Sequence, residues 1–207
     1  MSNLVTDILA PKTNLQLKIG LYFGTFNPVH IGHMAIANYL VEYTSIDQLW
    51  FVVSPQNPHK KKQNLLNDYH RLEMVHRAVD DDNRFRVSNI EFSLPKPSYT
   101  IDTLSYLKDQ FPNHHFKIIM GSDNLEKFHK WKNYEQIIEN YGIIIYPRPG
   151  FEPSKYKLPS TTEIAKAPQM EISSTFIRKA IREGKNVRHF LPQKTWEYLE
   201  EMNFYRK

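Results

Sequence analysis

The sequence predicts an α/β fold in which helices cover both faces of a parallel sheet. Two observations lead to this prediction. Short apolar segments such as QLWFVVSP (48–55) and HFKIIMGSD (115–123) are typical of buried strands, and segments with apolar residues at helical spacing separate them. Strands that alternate with helices in this way indicate a parallel sheet.

The first half of the chain is predicted to hold three strands and two helices. The first strand alternates and then becomes apolar before Gly24, and Pro55 stops the second strand. Leu72, Val75 and Val79 share one face of the second helix. The predicted elements are a strand at 15–24, a helix whose apolar spacing runs over 33–43 and whose start is placed near Val29, a strand at 48–55, a helix at 68–79 and a strand at 85–92.

The second half continues the alternation and ends in helices. Ser98 or Thr100 can cap a helix at 98–111, and Gly184 closes a capped helix at 172–185. Residues 147–168 hold five of the 13 prolines, which predicts a loose surface excursion. The remaining predicted elements are a strand at 115–123 with a helical stretch through Lys130, a strand at 142–147 and a final helix at 191–205.

The composition is that of a single globular domain. A chain of 207 residues with 41% apolar and 24% charged residues can bury a substantial core, so we expect one domain over 1–207, with 1–16 as a flexible or peripheral N-terminal extension. The absence of cysteine excludes disulfides and thiolate metal sites. No secretory signal or long apolar run is present, so a cytoplasmic location without a membrane partner is expected.

The positive charge predicts anionic partners only weakly. The net charge is +5, and the densest basic run is HKKK (59–62). Such a run is typical of a solvated loop. A nucleic-acid surface usually carries a basic stripe with stacking aromatic residues, which this sequence lacks, so no nucleic-acid partner is expected.

Three polar segments fall where ligands bind in open α/β sheets, at the carboxyl ends of strands or at helix starts. They are GTFNPVHIGH (24–33), GSDN (121–124) and ISSTFIR (172–178). Neither G-x-x-x-x-G-K-[ST] nor G-x-G-x-x-G is present. Helix N-termini can still hold a phosphate with free N–H groups, and Arg178 lies one turn inside the last segment.

The first segment carries two histidines three residues apart. If the helix begins near Val29, His30 and His33 share one face, and Gly32 lets a ligand approach closely. Two imidazoles can donate hydrogen bonds to a polyphosphate or supply positive charge near neutral pH. Two alternatives stay open, a zinc pair, which needs further ligands, and two structural histidines that cap a helix.

GTFNPVHIGH together with ISSTFIR resembles the signature of the nucleotidyltransferase superfamily with a (T/H)-x-G-H motif. Six further segments follow the same order as in bacterial nicotinate-nucleotide adenylyltransferases, and the resemblance spans about Lys18 to Arg206. Departures from the family are Phe23-Gly24 for a double glycine, Asn27 for aspartate, and Asn57-Pro58-His59 for Pro-Pro-His. The six segments are SPQNPHKKK, RLEMVHRA, PSYTIDTL, GSDNLEKFHKW, YPRPG and LPQKTWEYLEEMNFY.

The resemblance implies a Rossmann-like sheet with a small helical C-terminal part, and a reaction. Nicotinate mononucleotide is joined to the AMP part of ATP, and pyrophosphate is released. The attacking phosphate oxygen is already largely ionised at neutral pH, so the reaction needs no general base. Implied partners are ATP and nicotinate mononucleotide in a possible homo-oligomer. Mg²⁺ comes with ATP and is held mainly by phosphates and water, without a dedicated protein metal site.

The resemblance also assigns site residues. His30, His33, Lys60 and Arg178 are the implied catalytic residues. Asp123 is placed on the ATP ribose, with a helix N-cap as its alternative role. The implied ATP-binding residues are Gly24, Thr25, Phe26, Gly32, Gly121, Asp123, Ser173, Ser174 and Thr175.

The implied pyridine-nucleotide residues are Tyr99, Thr100, Trp131 and Arg148. Trp131 would stack on the pyridine ring, with core packing as its alternative, and Arg148 would contact the acceptor phosphate or face solvent. Rival functions are the same chemistry with nicotinamide mononucleotide or both acceptors, transfer to phosphopantetheine or another phosphorylated acceptor, and a nucleotide- or nucleic-acid-binding protein without turnover.

Overall fold

Six parallel strands form one sheet in the part of the chain that the structure describes. This computed structural model describes residues 15–55, 65–156 and 158–206, so the predicted extension at 1–16 lies almost wholly outside the described residues. The sheet order is β3-β2-β1-β4-β5-β6, with every neighbouring pair parallel, which confirms the predicted fold class. The strands are β1 (Lys18–Gly24), β2 (Gln48–Val53), β3 (Phe85–Ser88), β4 (His115–Gly121), β5 (Gly142–Tyr146) and β6 (Thr162–Ile164).

The order of the strands reverses between β1 and β4. The chain proceeds from β1 outward to β2 and β3 on one side, and then returns to build β4, β5 and β6 on the other. The connections that leave the carboxyl ends of β1 and β4 therefore diverge to opposite sides. Such a reversal opens a crevice at the carboxyl edge, where ligands of open α/β sheets bind.

Helices cover both faces of this sheet. The face towards α1 and α2 buries Leu40, Phe51 and Val75 in one apolar cluster, and the face towards α3 buries Trp50 and Leu104 in another. Trp50 and Phe51 point to opposite clusters because successive strand residues alternate between faces. The helices are α1 (Ile31–Tyr43), α2 (Asp68–Val79), α3 (Thr100–Gln110), α4 (Leu125–Phe128), α5 (Tyr134–Asn140), α6 (Ser174–Arg182) and α7 (Gln193–Glu201).

The C-terminal part is small and helical, as the resemblance implied. Ile177 and Ile181 of α6 and Leu199 of α7 form a third apolar cluster. Gly184 ends α6 with a left-handed φ of 72°, which confirms the predicted stop. α7 is shorter than predicted and ends at Glu201, because Asn203 adopts a φ of 53°, which cannot continue a helix.

Two predictions about strands were wrong. The third strand ends at Ser88, and residues Ile90–Phe92 form a 3₁₀ turn, because the Ser88 hydroxyl oxygen accepts the backbone N–H of Ile90 at 3.3 Å and bends the chain. The proline-rich excursion contains β6, which pairs with β5. Three residues that include Thr162 and Ile164 suffice for an edge strand, and proline flanks it without interrupting it.

Predictions about helix starts also needed correction. α1 begins at Ile31, two residues later than Val29, because His30 is still extended (φ −146°, ψ 169°). Neither Ser98 nor Thr100 caps α3; the cap residue is Tyr99, and it makes no side-chain capping bond. Sequence reasoning missed α5, which begins after Asn133 in a left-handed conformation (φ 52°).

Candidate active site

The carboxyl end of β1 leads into the first predicted segment. Residues 25–30, here called the signature loop, connect Gly24 to α1. A Cβ at Gly24 would lie 2.7 Å from the ring of Phe26, so glycine lets that ring fold back against the strand end. Phe26 has a φ of 43° and packs edge-on against Tyr22 and His33. The Phe26 ring therefore forms a buried floor under the loop.

The two histidines lie face to face at the start of α1. Their ring centroids are 3.7 Å apart, with 33° between the ring planes. The backbone N–H of His30 donates to Nδ1 of His33 at 3.2 Å, so a neutral His33 carries its proton on Nε2. The two rings therefore lie together, as predicted. His33 also helps to cap α1, because its Nδ1 accepts the backbone N–H of His30.

The site keeps both histidines neutral. Burial, and then the positive charge of Arg148, lower the pKa of His30 from 6.5 to about 4. Burial, His30 and Arg148 together hold the pKa of His33 well below its usual range. At neutral pH each ring is therefore an uncharged donor and acceptor. A polyphosphate placed against the rings would offset the charge of Arg148 and favour hydrogen bonds from the imidazole N–H groups.

The His30 ring has an unpartnered nitrogen among the described residues, and Gly32 leaves space next to it. Nδ1 of His30 is buried and has no hydrogen-bond partner among the described residues, a state that costs free energy unless a ligand supplies the partner. A Cβ at Gly32 would lie 3.0 Å from this nitrogen and 3.7 Å from Cβ of Ile172. Glycine at position 32 thus preserves the space between His30 and the third predicted segment.

Arg148 follows β5 and reaches back towards the histidines. Its backbone N–H donates to the Ser122 hydroxyl at 2.9 Å, and its guanidinium donates to the Tyr146 hydroxyl at 3.1 Å. Its Nε is 4.0 Å from the Asp123 carboxylate and has no hydrogen-bond partner among the described residues. The cation lies at the carboxyl edge between β4 and β5, and its side chain is 32% exposed, so the solvent-facing alternative holds in part.

The second predicted segment supplies Asp123 at the end of β4. A Cβ at Gly121 would collide with the Asp123 carboxylate and lie 3.1 Å from Cγ of Arg148, so glycine permits their close approach. Asp123 does not cap a helix, because Gly121 is the cap of the turn Ser122–Asn124 and Asn124 is that of α4. The carboxylate is 45% exposed, which leaves it accessible to a ligand.

The third predicted segment is joined to the signature loop by hydrogen bonds. The Ser174 hydroxyl donates to the carbonyl of Pro28 at 2.8 Å, and Arg178 donates to the carbonyl of Asn27 at 2.8 Å. Ser173 is the N-cap of α6 and accepts the backbone N–H of Phe176. Arg178 also donates to the Thr175 hydroxyl oxygen at 3.3 Å. The N-terminus of α6 and the histidine pair therefore belong to one site.

Lys60 lies outside the described residues, in the segment that connects β2 to α2. Both ends of this segment are held by Arg71, which sequence reasoning did not assign to the site. Arg71 of α2 is fully buried and donates to the carbonyls of Thr25, Ser54, Pro55 and Leu66 and to Asp68. It thus ties the signature loop to both ends of the segment between β2 and α2. RLEMVHRA belongs to the resemblance, and an arginine beside the apolar face of α2 was the available signal.

Three of the predicted acceptor residues, Tyr99, Thr100 and Trp131, lie on the opposite face of the sheet from α1. Tyr99 caps α3 and Thr100 is its first residue. Lys132 connects this helix end to the segment after α4, since its ammonium lies 4.8 Å from the Tyr99 ring centroid and pairs with Asp102. Trp131 is half-buried and packs edge-on against Phe128 at 5.3 Å. The core-packing alternative therefore holds in part, and the ring is partly exposed.

Within residues 15–55, 65–156 and 158–206, no group of three or more His, Asp or Glu side chains is placed to hold a metal ion. Within these ranges no third His, Asp or Glu side chain joins His30 and His33 in such a group. No helix in these ranges is long and apolar enough to cross a membrane.

This fold and site define the class of Rossmann-like nucleotidyltransferases. The family model described as cytidylyltransferase-like matches residues 21–180. A chain from Flavobacterium johnsoniae is 54% identical over 92% of this chain and all of its own length, and one from Christiangramia forsetii is 52% identical over 93% and all of its own length. Both are described as probable nicotinate-nucleotide adenylyltransferases. The chain belongs to the cytidylyltransferase-like family and, within it, to the nicotinate-nucleotide adenylyltransferases.

Solved structures support the fold. The Plasmodium falciparum nicotinic acid mononucleotide adenylyltransferase complexed with NaAD has a TM-score of 0.75 at 21% identity, and covers 92% of this chain and 98% of its own. The same protein complexed with APC has a TM-score of 0.74 at 20% identity, with the same coverage. At this level of identity the likeness concerns the arrangement of the sheet and its helices.

Proposed function

We propose that the protein transfers the adenylyl group of ATP to nicotinate mononucleotide, giving nicotinate adenine dinucleotide and pyrophosphate, a step in NAD biosynthesis. The observation that carries this proposal is the contact between the signature loop and the start of α6, which are far apart in the sequence. Ser174 and Arg178 of α6 donate to the carbonyls of Pro28 and Asn27, in the loop that leads into the His30 and His33 pair. The identity of more than half over the full length of the Flavobacterium johnsoniae relative supports the acceptor.

The reaction joins two anions, so the site has to supply hydrogen-bond donors and cations. An oxygen of the acceptor phosphate forms a bond to the α-phosphorus of ATP while the bond from that phosphorus to the bridging oxygen of pyrophosphate breaks. The attacking oxygen is already ionised at neutral pH, and no general base is needed. Catalysis then depends on positioning and on stabilising the charge that develops on the phosphate oxygens.

His30 and His33 are proposed to contact the ATP phosphates. A neutral imidazole donates one N–H, and the buried site strengthens that hydrogen bond. His33 keeps its proton on Nε2 because its Nδ1 is used by the His30 backbone, so one donor of fixed position is available. Lys60 is proposed to bring a further cation to the phosphates.

The start of α6 is proposed to hold the leaving pyrophosphate. The free N–H groups and the partial positive charge of a helix N-terminus favour phosphate. Ser173 and Thr175 use their hydroxyl oxygens as acceptors in the bonds described above, so each retains its hydroxyl hydrogen for a ligand. Arg178 provides the fixed cation beside them.

The nucleoside and the acceptor are proposed to lie on the two sides of β4. Asp123 bonds the ATP ribose, while the backbone of Thr25 and Phe26 and the glycines 24, 32 and 121 provide the close approach. On the other face, Trp131 stacks on the pyridine ring and the start of α3, at Tyr99 and Thr100, contacts the acceptor. Arg148 lies between the two groups and would contact the acceptor phosphate.

Mg²⁺ is proposed to accompany ATP and to neutralise part of the phosphate charge. Its preference for oxygen ligands and water suits phosphate coordination without a protein cage. We also propose that the chain acts as one nucleotidyltransferase domain in the cytoplasm, where ATP is made, as a monomer or homo-oligomer without nucleic acid.

The experiment that tests this function is pyrophosphate release from ATP and Mg²⁺ with one acceptor at a time. Release with nicotinate mononucleotide and far less with nicotinamide mononucleotide is the expected result. Equal use of both would retain the chemistry and overturn the specificity. Release only with phosphopantetheine, or with none of the three, would contradict the proposal, and strongly salt-dependent binding of random DNA would favour a nucleic-acid role.

A further inference from the structure

The turn that follows α7 contacts the signature loop. The Tyr205 hydroxyl donates to the side-chain oxygen of Asn27 at 2.7 Å, across almost the whole length of the chain. Asn27 is 2% exposed, and the same oxygen also accepts the backbone N–H of Leu66 at 3.3 Å. The backbone carbonyl of Asn27 accepts Arg178 at 2.8 Å. One residue of the loop therefore joins the C-terminal turn, the segment before α2, and α6.

The backbone of the turn is strained in a way that serves this contact. Asn203 and Tyr205 adopt left-handed φ angles of 53° and 62°, and this conformation is unfavourable for a bulky aromatic residue. The Tyr205 ring packs against the apolar cluster of α6 and α7. Strained residues persist where surrounding contacts hold them, and they concentrate at functional sites. The cost of the turn is offset by ring packing and by the bond to Asn27.

We propose that Tyr205 is a positioning residue of the adenylyl-transfer site. Its hydroxyl holds Asn27, whose carbonyl fixes Arg178 and whose loop presents His30. The inference rests on the proposed function, and it gives the C-terminal turn a role in binding the ATP phosphates. Tyr205 does not touch the substrates; it acts through Asn27 and Arg178.

The test is the variant Tyr205→Phe, which keeps the ring and removes only the hydroxyl. Loss of one well-formed hydrogen bond that holds the loop should raise the KM for ATP about tenfold. The kcat should fall several-fold, while the KM for nicotinate mononucleotide should change less than about twofold, because Tyr99, Thr100 and Trp131 lie on the other face of the sheet and Arg148 makes no bond to Asn27 or Tyr205 that the variant removes.

Tyr198→Phe is the matched control. Its hydroxyl bonds Nδ1 of His70 in α2 at 2.8 Å, so the bond that is removed joins the C-terminal part to α2 and not to the signature loop. Tyr198→Phe should lower the unfolding free energy about as much as Tyr205→Phe does, and should leave the KM for ATP within about twofold of the parent. A purely structural role of Tyr205 would move both KM values alike, or would affect Tyr198→Phe equally, and either result would overturn the proposal.

A double-mutant cycle with Asn27→Ala checks the route of the effect. In that background Tyr205→Phe should change the KM for ATP by less than about twofold, because the bond partner is already absent. Additive effects of the two variants would exclude the route through Asn27.

Calorimetric titration with a non-hydrolysable ATP analogue separates this inference from the function. If the parent protein binds the analogue and fails to release pyrophosphate with any acceptor, the proposed function fails, whereas weaker binding by Tyr205→Phe alone would still uphold the positioning role. Equal binding by the parent and Tyr205→Phe would sink the inference and leave the function intact. No binding by the parent would overturn both.

Discussion

Single residues at the start of α1 have two tasks at once. The Nδ1 atom of His33 accepts the backbone N–H of His30, which satisfies one of the unpaired groups of a helix N-terminus. The Nε2–H of His33 then remains for a ligand. Because the local cap and the ligand site use different atoms of one ring, the structural and functional roles of the motif are compatible.

The first prediction concerns His33→Ala. Removing a donor that stabilises the developing charge should lower kcat by a factor of about 100 or more. The lost capping bond should lower the unfolding free energy by only about 1 kcal/mol. Steady-state pyrophosphate release and urea unfolding measure the two effects. His189→Ala, at an exposed histidine, should leave both unchanged, and normal turnover in His33→Ala would refute the catalytic role.

The second prediction follows from the low pKa of His30. The folded state keeps the ring neutral down to about pH 4, whereas the unfolded chain binds a proton near pH 6.5. Stability is therefore unaffected above pH 6.5 and falls as the pH decreases from 6.5 towards 4. His30→Gln, which cannot titrate, should lose about 2 kcal/mol less unfolding free energy than the parent between pH 7.5 and 5.

Urea unfolding without nucleotide at the two pH values measures this difference. NMR titration of His30 in the folded parent is the direct control. A ring that protonates near pH 6.5 in the folded protein would show that burial and Arg148 do not keep it neutral.

Secondary-structure elements are connected at the carboxyl edge by buried polar side chains. Arg71 of α2 satisfies four backbone carbonyls and Asp68 with its guanidinium. Its planar group with five N–H donors is the side chain suited to several acceptors at once. The end of β1, the end of β2 and the start of α2 are therefore held in one arrangement, and the signature loop depends on it.

The third prediction is that Arg71→Lys destabilises the fold. A lysine offers three donors on one atom, so buried carbonyls lose their partners, and the unfolding free energy should fall by about 3 kcal/mol or more. Arg77→Lys in the same helix is the matched control. Its surface pair with Glu73 should contribute less than about 1 kcal/mol. Equal losses in urea unfolding for both variants would contradict a special role of Arg71.

At the scale of the whole molecule, the strand order brings distant parts of the chain to one edge. The signature loop leaves β1, Asp123 follows β4, Arg148 follows β5, and the N-terminus of α6 packs on the loop. A nucleotide bound there would contact segments that are separate in the unfolded chain. Its binding would therefore be coupled to folding.

The fourth prediction is that ATP stabilises the protein as a whole. At a free concentration 100 times its Kd, a non-hydrolysable ATP analogue with Mg²⁺ should raise the unfolding free energy by about 2.7 kcal/mol. The same concentration of CTP, with equal charge and a different base, should raise it less. Thermal unfolding monitored at constant ionic strength measures both, and equal effects would indicate binding of any polyanion.

Much of the fold and of the site was predictable from local pattern. Apolar runs and helical spacing identify β1, β2, β4 and β5 and most of the helices, because the period of buried residues is a local property of the chain. The pairing of GTFNPVHIGH with ISSTFIR was expected from the resemblance, and the hydrogen bonds from Ser174 and Arg178 confirm that the segments meet.

The short elements were beyond local pattern. β6 has only three residues and forms because β5 offers an open edge, and the 3₁₀ turn at Ile90–Phe92 follows from one serine hydrogen bond. Asn133 permits α5 by a left-handed φ. In each case one local feature, an open strand edge, a side-chain hydrogen bond or a left-handed residue, decides the structure and leaves little periodic signal in the sequence.

The sequence by itself determined the α/β class, the sides of the core and the three segments that meet at the carboxyl edge, since these depend on the order and spacing of residue types. Only the tertiary structure decided that burial and the charge of Arg148 keep the histidines neutral, that Arg71 meets four carbonyls, and that Tyr205 reaches Asn27. These contacts join residues far apart in the chain. Their partners are set by strand order and helix packing, which no local pattern encodes.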